Sequence, residues 1–175
     1  PSGMNCDTGA VDPHTLRADL TVTFGFPKPG HFAFPGAGMV GKLLVAEIGI
    51  APRLVKDCRV RLVTSQTVSE KLPARPLDAH KGSFGKALIV AGSVNYTGAP
   101  ALAATAATRV GVGLVTLALG ESIFPIVAGK LLEPTYILLP ESMGVISPDA
   151  IKVLDTQLTQ YQALLIGPGL GQDKE

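Results

Sequence analysis

The feature that most constrains this chain is the apolar run Ala87-Leu88-Ile89-Val90-Ala91, closed by Gly85 on one side and Gly92 on the other. A short, wholly apolar run between glycines is the pattern of a strand covered on both faces, as in a parallel sheet. The residues that follow, Gly92-Ser93-Val94-Asn95-Tyr96-Thr97-Gly98-Ala99-Pro100, read as a glycine loop, and the Ala-rich stretch up to Arg109 reads as a helix. Ligands of open parallel sheets bind at the carboxyl ends of the strands. Residues 92 to 99 are thus expected at the mouth of a crevice, where small residues let a ligand approach the backbone.

The helix has its own punctuation. Pro100 suits a first turn, Arg109 a last turn, and Gly111 the position just past the end. Leu102, Ala103, Ala106, Ala107 and Val110 are expected on its buried face, and Leu114 to Leu119 as the next strand, reached by a right-handed crossover. Further along, the pattern predicts a helix over 122–132, a strand over 135–139, a helix over 147–159 opened by Ser147-Pro148, and a strand over 163–166. That strand runs into a second glycine loop, Gly167-Pro168-Gly169-Leu170-Gly171. Strands alternating with helices argue for an open, mostly parallel α/β sheet with helices on both faces. Either glycine loop alone is an ordinary turn signal. Neither carries a complete dinucleotide fingerprint or a Walker pattern, but two such loops at strand ends can converge on one ligand.

Before residue 80 the texture differs. Residues 1–12 read as a polar, glycine-bearing loop that starts as though a strand had just ended, so the chain looks cut there. Leu20 to Phe26 reads as a strand stopped by Pro27-Lys28-Pro29-Gly30, and Lys42 to Ile50 as another. From Ala51 to Ala79, prolines and charges accumulate. The expected division is therefore a first part at 1–58, a linker at 59–79 and a second part at 80–175, with a short helix over 65–72 capped by Ser65 and ended by Pro73.

Composition narrows the function classes. A hydrophobic fraction of 46% and a charged fraction of 17% suit a chain with a buried core rather than disorder. A formal net charge of +1 with no dense basic block sets nucleic acid and anionic membrane aside as partners. The apolar stretch 99–119 carries Arg109 at its centre and glycines at 111 and 113, so a soluble helix and strand are expected there instead of a membrane span. Cys6 and Cys58 lack the spacing of a zinc site or disulfide framework, and no targeting segment is visible, which fits a reduced, cytoplasmic setting.

Five motifs in order carry a family resemblance: His80-Lys81-Gly82-x-x-Gly85, Ala91-Gly92-Ser93, Tyr96-x-Gly98-Ala99, Gly111-x-Gly113-Leu114-Val115-Thr116, and Gly167-Pro168-Gly169-Leu170-Gly171. Together they resemble the first half of the ADP-dependent NAD(P)H-hydrate dehydratase family, which is ribokinase-like. Pro1-Ser2-Gly3-Met4-Asn5-x-Asp7-Thr8-Gly9, with Thr21-x-Thr23-Phe24-x-x-x-Lys28-x-Gly30, is similar to the end of an NAD(P)H-hydrate epimerase domain, a partial Rossmann-like segment.

The resemblance implies repair of hydrated NADH and NADPH: epimerisation of the hydrate, and its dehydration with ADP or ATP as phosphoryl donor. The implied cofactors are ADP or ATP, Mg2+, and K+ for the epimerase part. It places Ala99, Gly167 and Gly169 at the hydrated-nicotinamide pocket and Ser2 as a potassium ligand. No catalytic residue is among these residues: the epimerase's acidic residue belongs before residue 1, and the dehydratase's Gly-x-Gly-Asp loop and nucleotide-binding segments after Glu175. The chain by itself is accordingly expected to be inactive, and an uncovered sheet edge to favour association, as in a homo-oligomer.

Other polar residues admit two readings each. His80 and Lys81 either contact phosphate or cap the loop entering the first strand. Lys28 matches the epimerase pattern but also suits a solvated turn. Asp7 and Asp12 are paired carboxylates or turn residues, and His14 and His31 are expected at the surface. A small-molecule kinase of the same superfamily and a noncatalytic nucleotide-binding module remain as alternative functions.

Overall fold

The computed structural model describes residues 1–171. They divide into two compact units, Pro1–Pro73 and a second beginning at Ala74.

In the first unit, β1 (Leu20–Phe24) and β2 (Lys42–Ala46) pair in parallel, with Val22 opposite Leu44. The connection between them is built from turns, including single turns of 3-10 helix at Pro29–His31 and Gly36–Gly38. Close backbone approach explains the small residues there: a Cβ on Gly30 would run into the Asn5 carbonyl oxygen, and one on Gly36 would meet the Gly30 carbonyl oxygen at 2.7 Å. Helix α1 is shorter than expected, Ser65–Ser69, and its cap is Thr64, whose hydroxyl accepts from the Thr67 amide at 3.2 Å. Thr64 wins over Ser65 because its backbone is extended and leaves the oxygen facing the open end of the turn.

The second unit follows the alternating pattern. Strand β3 (Lys86–Val90) leads to α2 (Gly98–Val110), β4 (Leu114–Gly120), α3 (Phe124–Ala128), β5 (Thr135–Leu139), the short strands β6 (Glu141–Ser142) and β7 (Val145–Ile146), α4 (Ala150–Asp155) and β8 (Ala163–Ile166). Its main sheet has four strands in the order β5-β4-β3-β8, every pair parallel. The expected open, parallel α/β sheet is therefore present.

The two faces of β3 feed two cores. Ile89 and Ala91 pack with Val115, Leu117, Leu119, Ala104 of α2 and Val127 of α3. Leu88 and Val90 point the other way, with Ala118, Leu139 and Ala150 of α4. This is the alternation of a strand covered on both faces. At roughly 1.5–3 kcal/mol for each fully buried aliphatic side chain, Leu88, Ile89 and Leu117 are among the largest single contributors to folding.

Helix α2 begins and ends where its punctuation predicts. Gly111 is the left-handed cap (φ 102°), its amide reaching back to the Ala107 and Thr108 carbonyls. The buried face is the expected one only in part. Pro100 and Ala104 are buried and Ala103 and Ala107 pack on the core, whereas Leu102 and Val110 are exposed. Alanine lets the helix axis lie close to the sheet, and that closeness determines the contact face more than the two larger side chains do.

Two helices are also shorter than the pattern suggests. Residues 122–132 form a 3-10 turn at Glu121–Ile123 followed by α3, which Gly129 ends. Of 147–159 only Ala150–Asp155 is α-helical, because Ser147 and Pro148 form the preceding turn, Ser147 accepting from the Ala150 amide. At the other edge, β8 pairs with β3, and Leu164, Leu165 and Ile166 remain 44–55% exposed. Among the described residues no helix is long and apolar enough to cross a membrane.

Candidate functional site

The two glycine loops meet. They leave the carboxyl ends of β3 and β8, adjacent strands in the sheet, so their closeness follows from the topology. The Gly92 amide donates to the Pro168 carbonyl at 2.9 Å, and the buried Ser93 hydroxyl donates to the Gly169 carbonyl at 2.9 Å. The Gly167 amide returns to the Val90 carbonyl at 3.2 Å, extending the ladder one step past β8.

The two loops border a cleft of about 530 Å³ lined by Ser93, Asn95, Tyr96, Val145, Gly167 and Gly169, with Leu170 and Gly171 beside them. Gly169 lies under the first turn of α2. A Cβ placed on it would come within 2.7 Å of the Tyr96 Cβ and 2.8 Å of the Ala99 Cβ, and its φ of 69° is one that side-chain-bearing residues rarely adopt. Ala99 and Gly169 thus pack against each other, Gly169 in the cleft lining and Ala99 behind it. Gly167 also lines the cleft, and a Cβ placed on it would stand in open space.

A third element, which sequence reasoning missed, contributes to the same place. Strands β6 and β7 form a hairpin turned at Met143-Gly144, with φ of 50° and 78° at the two positions. Positive φ at both residues matches the hairpin turns that agree with strand twist. The Gly144 carbonyl accepts from the Val94 amide at 2.9 Å, and Val145 lines the cleft. The available signal was Gly144 between two-residue stretches, too short to register as alternation. Glu141, at the base of this hairpin, accepts from the Ser122 hydroxyl at 3.0 Å and so holds the start of α3.

The entrance to β3 is organised by His80, whose Nδ1 accepts from the Gly82 amide at 3.1 Å. That is the capping reading of His80; the exposed Lys81 sits in the same turn. Arg75, counted with the linker from sequence, packs its guanidinium 4.0 Å from the Phe84 ring centroid and donates to the Gly111 carbonyl. Among the cleft-lining residues there is no carboxylate, lysine or histidine, and among the described residues there is no cluster of His, Cys, Asp and Glu able to hold a metal ion.

In the first unit, Ser2 lies exposed in the N-terminal turn. Lys28 is not a freely solvated turn lysine: its ammonium donates to the Thr23 hydroxyl at 2.7 Å and the Phe24 carbonyl at 2.8 Å. His31 corrects the surface expectation. It is buried, and its Nδ1 accepts from the Lys28 amide at 3.2 Å. Burial first, and the Lys28 charge second, lower its pKa from the ordinary value. His14 is exposed as expected, and Asp12 takes the turn role by accepting from the His14 amide. Cys6 and Cys58 are free and exposed.

The family model of NAD(P)H-hydrate dehydratase matches residues 87–175, just over half of the chain. The chain belongs to the NAD(P)H-hydrate dehydratase family. Bifunctional NAD(P)H-hydrate repair enzymes from Moorella thermoacetica and Thermofilum pendens are 43% and 39% identical to it over 176 residues. Those matches cover 99% and 100% of this chain but 33% of each relative, so the chain spans about a third of the length of the curated relatives it matches. Among solved structures, the ADP/ATP-dependent NAD(P)H-hydrate dehydratase of Bacillus subtilis, crystallised with ATP and Mg2+, superposes with a TM-score of 0.53 at 35% identity, over 67% of this chain and 39% of that one. A ribokinase-like superfamily protein from Enterococcus faecalis superposes with the same TM-score of 0.53 at 24% identity, over 64% of this chain and 36% of that one, a likeness of fold alone.

Proposed function

We propose that this chain is part of an enzyme that repairs nicotinamide cofactors, dehydrating hydrated NADH or NADPH with ADP or ATP as phosphoryl donor and epimerising the hydrate. The observation that carries the reading is the junction of the two glycine loops at the carboxyl ends of β3 and β8 in a chain of this family. Gly167 and Gly169 form the hydrated-nicotinamide side of the cleft, with Ala99 packed behind Gly169. Their lack of bulk lets a flat ring lie close to backbone amides, and its edge can be met by hydrogen bonds from the loops.

The division of labour follows from what lines the cleft. Phosphoryl transfer to the hydrate hydroxyl needs positioning and charge stabilisation, and loss of phosphate then restores the dihydropyridine ring. The cleft lining supplies small residues, hydroxyls and an amide, but no carboxylate, lysine or histidine to run that step. We therefore place the catalytic groups, the nucleotide-binding segments and the Mg2+ ligands in other parts of the enzyme. The 175-residue chain on its own then binds without turnover.

Residues 1–58 take the role of an epimerase part, joined through 59–79 to the dehydratase part at 80–175. In the epimerase part Ser2 is the candidate potassium ligand, and its exposure leaves its oxygen available to an ion. The exposed apolar strand β8 favours association with a further surface, a second copy included.

The test is enzymatic. The full-length protein carrying this sequence is assayed for ADP-dependent recovery of NADH absorbance from hydrated NADH, in parallel with phosphorylation of hydroxymethylpyrimidine and of sugars. Recovery of NADH with no phosphorylation of the other substrates is the expected result. Phosphorylation of those substrates alone would replace this reading with a small-molecule kinase, and binding without any turnover would replace it with a nucleotide-binding module.

A further inference from the structure

The loop 167–171 has glycine at alternate positions, with φ of 130°, 69° and 83° at Gly167, Gly169 and Gly171. Such a segment has little preference for one conformation, so the shape it holds must be imposed by contacts. The backbone bond from Gly92 to Pro168 fixes the loop's start. At Gly169, where the loop passes under Tyr96 and Ala99, the contact is the Ser93 hydroxyl, the one side-chain hydrogen bond between the two loops among the described residues. Ser93 is 3% exposed and Gly169 half-buried, so this bond is partly shielded from water, and leaving the Gly169 carbonyl without it carries a cost. A Cβ on Gly171 would lie 3.4 Å from the same Oγ, which shows how closely the loop wraps the serine.

We propose that Ser93 is a positioning residue for the cleft: by holding the Gly169 carbonyl it keeps the second glycine loop packed against Tyr96 and Ala99, and so fixes the wall of the cleft that the ligand's flat ring meets. The assignment deepens the functional reading above and rests on it for the identity of the ligand. Neighbouring Val94 fastens the β6-β7 hairpin through its amide, so consecutive residues of the first loop set both of its neighbours. Only the Ser93 bond, being made by a side chain, can be removed by substitution without touching the backbone.

The test compares Ser93→Ala with the wild type in the full-length protein, with Thr108→Ala as a control. Thr108 donates its hydroxyl to the Ala104 carbonyl within α2 and lies outside the cleft lining. Two readouts are taken. In amide hydrogen exchange, S93A is expected to speed exchange of the 167–171 peptide about tenfold while the 86–90 peptide stays protected, since one buried hydrogen bond is worth roughly that factor. In kinetics, S93A is expected to raise KM for hydrated NADH about tenfold with KM for ADP and kcat within about twofold, the signature of lost ground-state and transition-state binding at one subsite. T108A is expected to change neither. Exchange at 167–171 unchanged in S93A would overturn the positioning role, as would equal rises in both KM values. A wild type that leaves hydrated NADH untouched would instead overturn the functional reading, and the exchange result would still decide whether Ser93 holds the loop.

Discussion

Strands β1 and β3 are both five residues long, rich in β-formers and paired in parallel, yet they occupy opposite environments. β3 has a partner on each side and a helix-backed core on each face, and from Ala87 to Val90 it is fully buried. β1 has β2 as its partner, and Val22 and Phe24 stay 50% and 61% exposed. Local β-propensity is similar in the two, so propensity is not the source of the difference. Burial on both faces comes from the elements that follow in the chain and return to the strand. The stable platform is accordingly built around β3, and the cleft opens at its carboxyl end.

The largest effect that would break this comparison is a cavity. Leu88→Ala should destabilise the second unit by about 3 kcal/mol, within the usual range for buried leucine, while Val22→Ala should cost under about 1 kcal/mol. Urea denaturation of both variants checks it. Equal losses would mean that β1 is as well packed as β3.

Next in size is Gly169→Ala. The new Cβ has no room between Tyr96 and Ala99, and the backbone there is left-handed. A cost of about 1–3 kcal/mol, together with binding of hydrated NADH weakened more than about tenfold, is expected by thermal unfolding and calorimetry. Gly167→Ala, with open space around Gly167, is expected to disturb packing less even though its φ is also positive.

The mildest probe is pH, and it acts on the first unit. His31 has its folded pKa below the ordinary 6.5, so the unfolded chain takes up a proton before the folded one does. The stability due to neutral, buried His31 is present above 6.5 and is lost as pH falls through that value towards the lower folded pKa. Unfolding followed between about pH 7.5 and 5.5 should show stability decreasing with acidification, and His31→Asn, which keeps an acceptor for the Lys28 amide without a titrating ring, should flatten that slope. An equal slope in H31N would assign it to other groups.

Sequence reading recovered what local chemistry writes. The strands at 135–139 and 163–166 were legible because turns bound them, and the ends of α2 because Pro100 and Gly111 mark them. Convergence of the two loops was legible through topology, since adjacent parallel strands present their carboxyl ends together. What was not legible depends on distance in the chain. The contact face of α2 rests on how closely alanines meet the sheet, and the burial of His31 on turns folding back over it. The Met143-Gly144 hairpin was hidden because its strands are two residues each. Ser93 looked like one small residue in a glycine loop until its partner, Gly169, was brought alongside.

Hydrogen exchange of the full-length protein with and without hydrated NADH tests the central claim most directly, that the junction of the two glycine loops is the hydrated-nicotinamide site. Protection confined to peptides covering 92–99 and 167–171, absent in Gly169→Ala, is the predicted result. Protection elsewhere with these two segments unchanged would contradict it.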